Sequence, residues 1–101
     1  MQAQKELLAK FNEGLRASDD HIVTARLLHD QAETEGNQQA MEEAVIAAGY
    51  AGQAKGLFNI ALRDGFSGNT TETAILKGSG LLHDCERHLA QSTEALKATR
   101  T

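Results

Sequence analysis

Apolar side chains recur along this chain at three- and four-residue intervals, the period of helices laid against a core. Leu7, Leu8, Phe11 and Leu15 make the first stripe and predict a helix over about 3–17. Ile22, Ala25, Leu28 and Ala32 make the next, with Val23 and Leu27 beside them. Between the two, Ser18-Asp19-Asp20 reads as a helix start: a capping hydroxyl, then acids where the positive end of the helix dipole favours them. A second helix is therefore expected from there to Glu35, closed by Gly36. Asn37 caps a third, whose stripe is Ala40, Met41, Ala44, Val45 and Ala48. Gly49-Tyr50-Ala51-Gly52 reads either as a turn or as a helix continuing through small residues. A fourth helix, over about 53–64, carries Ala54, Leu57, Phe58, Ala61 and Leu62, stops at Gly65 and leads into a loop at Phe66-Ser67-Gly68-Asn69.

From Thr70 or Thr71 onward, Ile75, Gly78, Leu82, Cys85, Leu89, Ser92 and Leu96 repeat as a heptad-like seam. Unbroken over 71–97, this helix would be roughly 40 Å long, against roughly 22 Å for the first. Either Gly78-Ser79-Gly80 breaks it, or its overhang packs against another chain; the second is the preferred expectation. The predicted fold is all-α, a compact single-domain bundle of four to five helices over residues 1–101 with a long C-terminal helix.

Composition sharpens this picture. There is no proline, and aromatic residues are only 4% of the chain, so leucine and alanine must fill the core. A domain of this size can bury a core without staples, and the single cysteine, Cys85, cannot form an internal disulfide. That points to a reducing compartment. No apolar stretch is long enough to span a membrane, and the polar start Met1-Gln2-Ala3-Gln4-Lys5-Glu6 lacks a secretory h-region; a cytoplasmic location is expected.

The net charge of −4 is concentrated. Residues 19–43 hold Asp19, Asp20, Asp30, Glu33, Glu35, Glu42 and Glu43 against Arg26 alone. An acidic middle disfavours nucleic acid and suits a basic protein partner, with Asp30, Glu33 and Glu35 as candidate contacts. The plainer reading is the solvated face of a helix. A helix-turn-helix reading of 38–64 meets the same obstacle, since Lys55, Asn59 and Arg63 would face DNA beside Glu42 and Glu43.

Candidate chemistry is sparse. His83-Asp84-Cys85-Glu86-Arg87-His88 puts Asp84 and His88 on one helical face, and His29 with Glu33 makes a second such pair. His83, Asp84 and His88 are the candidate metal ligands, although no Cys-x-x-Cys or His-Glu-x-x-His accompanies them. Cys85 with a neighbouring histidine has no orienting third group, and on an apolar seam it is expected to act as a small core residue. The glycine-rich stretch 49–56 offers another option. If helix 4 starts there, its free N–H groups with Gly52, Lys55 and Arg63 would suit a small anionic ligand, phosphate- or nucleotide-like. It is not a Walker A loop, and glycines there equally permit a tight turn or close helix contact.

Two short likenesses add little. Leu27-Leu28-His29-Asp30 recurs as Leu81-Leu82-His83-Asp84 without matching flanks. Ala74-Ile75-Leu76-Lys77-Gly78-Ser79-Gly80 resembles the His-x-x-Lys-Gly-Ser stretch of histidine phosphotransfer domains, which are also helical bundles. Ala74 holds the place of the phosphorylated histidine, and too few residues follow for that fold's last helices, so no role is carried over. The expectation is a non-enzymatic, cofactor-free interaction or regulatory module of the inhibitor or adaptor kind. It would bind another protein and act as a homo-oligomer, a dimer through the C-terminal helix. Anion binding at 49–56 and a metal-binding bundle at His83–His88 are the alternatives.

Overall fold

The computed structural model describes residues 2–65 and 68–100, with side-chain surroundings for 5–65 and 71–99. The chain is all-helical. Three helices follow one another: α1 (Gln2–Glu35), α2 (Gln38–Arg63) and α3 (Gly68–Arg100). They lie side by side in a rod of 54 × 19 × 16 Å, with α2 antiparallel to both neighbours and α1 touching α3 least. Phe11 meets Phe58 near one end, and Ala32 meets Ala40 near the other.

Three helices among the described residues, rather than four to five, correct the expected count, and each merger has a local cause. Ser18, read as a cap, is buried in the middle of α1, where its hydroxyl donates to the Gly14 carbonyl at 2.8 Å. A serine satisfied by its own preceding turn needs no helix end. The stretch Gly49–Gly52 runs helically through α2, and Gly78-Ser79-Gly80 runs helically through α3. Of the loop expected at 66–69, Phe66 and Ser67 lie outside the described residues, and Gly68 and Asn69 are already helical.

The remaining boundaries fall where the sequence places them. Gly36 and Gly65 both adopt φ of 67°, the left-handed conformation that lets a helix end without a Cβ clash. Asn37 caps α2, its side-chain oxygen accepting from the Ala40 amide at 3.0 Å. Its amide nitrogen donates to the Ala95 carbonyl at 2.9 Å and also reaches Thr99, so the α1–α2 turn is fastened to α3.

Merging the first two expected helices removes the length mismatch. α1 has 34 residues and α3 has 33, each about 50 Å at 1.5 Å per residue, so the two are matched in length. The heptad-like seam of α3 also faces inward. Gly78, Cys85, Leu89, Ser92 and Leu96 are all buried within the chain, so the seam that suggested a dimer through this helix is occupied by α1 and α2.

The core divides into three layers. Phe11, Ala54, Phe58, Ala61 and Ala74 fill one end, and Ala32, Ala40 and Leu96 the other. Between them Ala25, Ala47, Ala51, Cys85 and Leu89 make a middle layer of mostly small side chains. Every buried residue of α2 except Phe58 is alanine, which lets α1 and α3 close on it from both sides. Ser92 donates across the α2–α3 contact to the Ala40 carbonyl at 2.8 Å, so a buried hydroxyl also holds this packing in register.

Candidate functional site

The side of α2 facing away from the core carries little charge. From Ala44 to Leu62 its one charged residue is Lys55, whose ammonium sits 2.7 Å from the Asp19 carboxylate on α1. At helical spacing along this side stand Glu42, Val45, Gly49, Gly52, Gln53, Gly56, Ile60 and Arg63, all exposed. Val45 is 59% exposed, Ile46 beside it 43% and Ile60 45%. A helix on a protein surface ordinarily turns charged and polar residues outward. Here valine, isoleucine and glycine hold most of the outward face between Glu42 and Arg63, with Gln53 and Asn59 as its exposed uncharged polar residues.

The glycines make the contrast sharper. A Cβ built at Gly49, Gly52 or Gly56 would meet nothing within 4 Å, so no contact inside the chain requires a missing side chain. Each still costs a helix interior about 1 kcal/mol relative to alanine. Gly14 and Gly78 differ in kind, since a Cβ on either would lie 2.7 Å from the Phe58 ring. Those two glycines serve the core. The three on α2 serve nothing within the monomer.

Beside this face, Gln53, Gly56, Leu57 and Ile60 of α2 with Lys77, Gly80, Leu81 and Asp84 of α3 line an open groove of about 600 Å³. Its lining is mostly apolar, with Gln53, Lys77 and Asp84 as the polar members, a composition that suits an apolar side chain.

The residues singled out from the sequence are dispersed. Gly52, Lys55 and Arg63 lie along one continuous helix, so no free helix N-terminus exists at 49–56, and Lys55 is engaged with Asp19. The anion-binding arrangement therefore lacks its amide donors. His83 is exposed, Asp84 pairs with Arg87 at 3.5 Å, and His88 Nδ1 is 2.5 Å from Glu43 Oε2 with its ring stacked on Tyr50. Among the described residues no group of three His, Cys, Asp or Glu side chains is placed to hold a metal ion. Asp30 and Glu33 are exposed on the last turns of α1, whereas Glu35 is half-buried. Ala74, in the place of a phosphotransfer histidine, is buried in the core.

Cys85 is fully buried in the middle layer. Burial pushes its thiol above the ordinary value of 9.0, the Glu86 charge adds to this, and a backbone hydrogen bond at Ala51 opposes it. Only the thiolate is nucleophilic, so the native protein should react with iodoacetamide at neutral pH at least ~100-fold more slowly than the urea-unfolded chain. Because the folded state holds this proton more tightly, its stability contribution is constant below pH 9 and declines as pH rises above the unfolded value. Urea titrations at pH 8 and pH 10 should show a larger loss for the wild type than for Cys85→Ala. Equal losses would remove this account of Cys85.

Val45, which the periodicity assigns to the core stripe of its helix, is turned outward. The signals that identify this face were present nonetheless: a charge gap from Ala44 to Leu62 broken by one lysine, and three mid-helix glycines inside it. Compared with known protein families, with curated proteins and with solved structures, the chain matches none. Among the described residues no helix is long and apolar enough to cross a membrane.

Proposed function

We propose that this chain is a non-enzymatic helical module that acts by binding protein, and that the outer face of α2 is its binding surface. The observation that carries the reading is the run of exposed Val45, Ile46 and Ile60 around Gly49, Gly52 and Gly56, with no unpaired charge between Glu42 and Arg63. Apolar side chains of this size are common singly on a surface, but three of them set along one charge-poor helix face suit an association site. Bare glycines at its centre fit the same reading, because a second helix can approach a glycine face more closely than one covered by side chains. Asn37 caps α2 and fastens its first turn to α3, which fixes one end of the helix that carries the strip.

Photo-crosslinking tests this directly. A benzophenone amino acid at Ile46 or Ile60, introduced in the cell that makes the protein, should capture a protein, whether this chain or another. The same probe at exposed Glu33 on α1 is the comparison. Crosslinks no more abundant from α2 than from Glu33 would end this reading.

A further inference from the structure

Several positions of the strip on α2 mirror one another about its middle. Counting inward from its ends, Glu42 matches Arg63, Val45 matches Ile60, Gly49 matches Gly56, and Gly52 and Gln53 flank the centre. An antiparallel helix pair related by a twofold axis at that centre sets just these residues opposite one another. We infer that a second copy of this chain occupies the outer face of α2, packed antiparallel, α2 on α2. This rests on the reading of that face as a protein-binding surface and adds the identity and register of the occupant.

Complementarity runs the length of the contact. Each end brings a Glu42 carboxylate to the partner's Arg63, opposite charges that meet twice because the contact is symmetric. Inside them Val45 meets the partner's Ile60, and at the middle Gly49 meets the partner's Gly56, where the backbones approach most closely. A parallel pair would instead stack Glu42 on Glu42 and Arg63 on Arg63, so charge selects the antiparallel form.

The groove between α2 and α3 fits the same arrangement. A twofold axis of this kind keeps the α3 side of one copy against the α3 side of the other. Ile46 shares a flank of α2 with Gln53 and Leu57 at helical spacing, and the operation carries it toward the partner's groove at Gly56, Leu57, Ile60, Gly80 and Leu81. An exposed isoleucine and an apolar recess are thus matched in both copies. The strip is about 32 Å long, nearly six helical turns, so the contact can run along most of α2.

Sedimentation equilibrium over a wide concentration range, with circular dichroism to confirm folding, is the deciding experiment. The wild type should dimerise, and Val45→Glu with Ile60→Glu, both exposed, should leave a folded monomer. Glu42→Arg alone and Arg63→Glu alone should each weaken dimerisation about tenfold, and the two together should restore it, since the swapped pair is again complementary. Gly49→Ala with Gly56→Ala should raise the melting temperature of dilute monomer yet weaken the dimer at high concentration. A wild type that stays monomeric while Ile46 crosslinks to a different protein overturns this inference and leaves the binding reading standing. A dimer indifferent to Val45→Glu and Ile60→Glu places the contact elsewhere and overturns it too. Singles that weaken association without rescue in the double variant overturn the antiparallel register.

Discussion

Phe58→Ala should be the most damaging single truncation in this protein, costing about 3–5 kcal/mol. Phe58 is the one large side chain that α2 buries, and it lies across the bundle with its ring against Phe11 at 5.6 Å between centroids, tilted 52°. At Gly14 of α1 and Gly78 of α3 the neighbouring helices bring bare backbone to its ring edges. Truncation therefore leaves a space that neither glycine can fill, and the full cavity term applies. A domain of ~100 residues has only about 5–15 kcal/mol of stability in total, so the melting temperature should fall by at least roughly 12 °C. Thermal and urea unfolding measure this directly.

A second measurement isolates the cause. Gly78→Ala in the wild type should be destabilising despite alanine's better helix propensity, because its Cβ would stand 2.7 Å from a ring that Gly14 confines on the other edge. In the Phe58→Ala background the same change should be neutral or stabilising, since the ring is gone. Additive costs in the two backgrounds would show that the ring and the glycine do not touch. A cost for Phe58→Ala below ~1.5 kcal/mol would mean that the site collapses freely, contrary to the clamped geometry.

The helical class was legible in the sequence because periodicity persists through every segment, whatever the local propensity. So were the turns at Gly36-Asn37 and Gly65, where a left-handed glycine and a capping side chain have no substitute in a continuous helix. The false boundary at Ser18 has a simple origin. A serine followed by two acids satisfies the local requirements of a cap, and only tertiary burial, with the hydroxyl bonded back to Gly14, reveals it as mid-helix. Glycine misled in the same way. Gly14 and Gly78 look like weak points along their helices, but each is required by the Phe58 ring, 44 positions from the first and 20 from the second. Such pairings depend on which helix lies beside which.

The candidate site divides along the same line. Histidines and acids drew attention as chemistry-bearing types, yet His88 turned to Glu43 and Lys55 to Asp19, contacts between helices that no spacing within one helix could announce. The strip on α2 was hidden by its plainness. Val45 fits a core stripe if α2 is taken as two short helices, and only with one continuous α2, its inner side set by seven buried residues from Ala40 to Ala61, is the outer side fixed. Once that phase is known, the apolar and glycine positions fall outward together.

The inner side of α2 should be as intolerant of enlargement as its outer strip is tolerant, and Ala51→Leu is the sharpest test. Ala51 is fully buried in the middle layer among Ala25, Ala47, Cys85 and Leu89, where close approach of all three helices leaves no room for added carbons. Leucine is the better packing residue in an ordinary core, but here it must force α1 or α3 outward, at a cost of about 2–3 kcal/mol. The neighbouring Gly52→Ala, one position along and facing out, should instead stabilise the monomer by about 0.5–1 kcal/mol. Opposite signs at adjacent positions are what a helix with one alanine-packed face and one bare face requires. Urea unfolding of dilute protein, below the range in which chains associate, reads both. If Ala51→Leu proved as stable as the wild type, α2 would not lie as close to its neighbours as the alanine layer demands. The phase that turns Val45, Gly49, Gly56 and Ile60 outward would then lose its foundation.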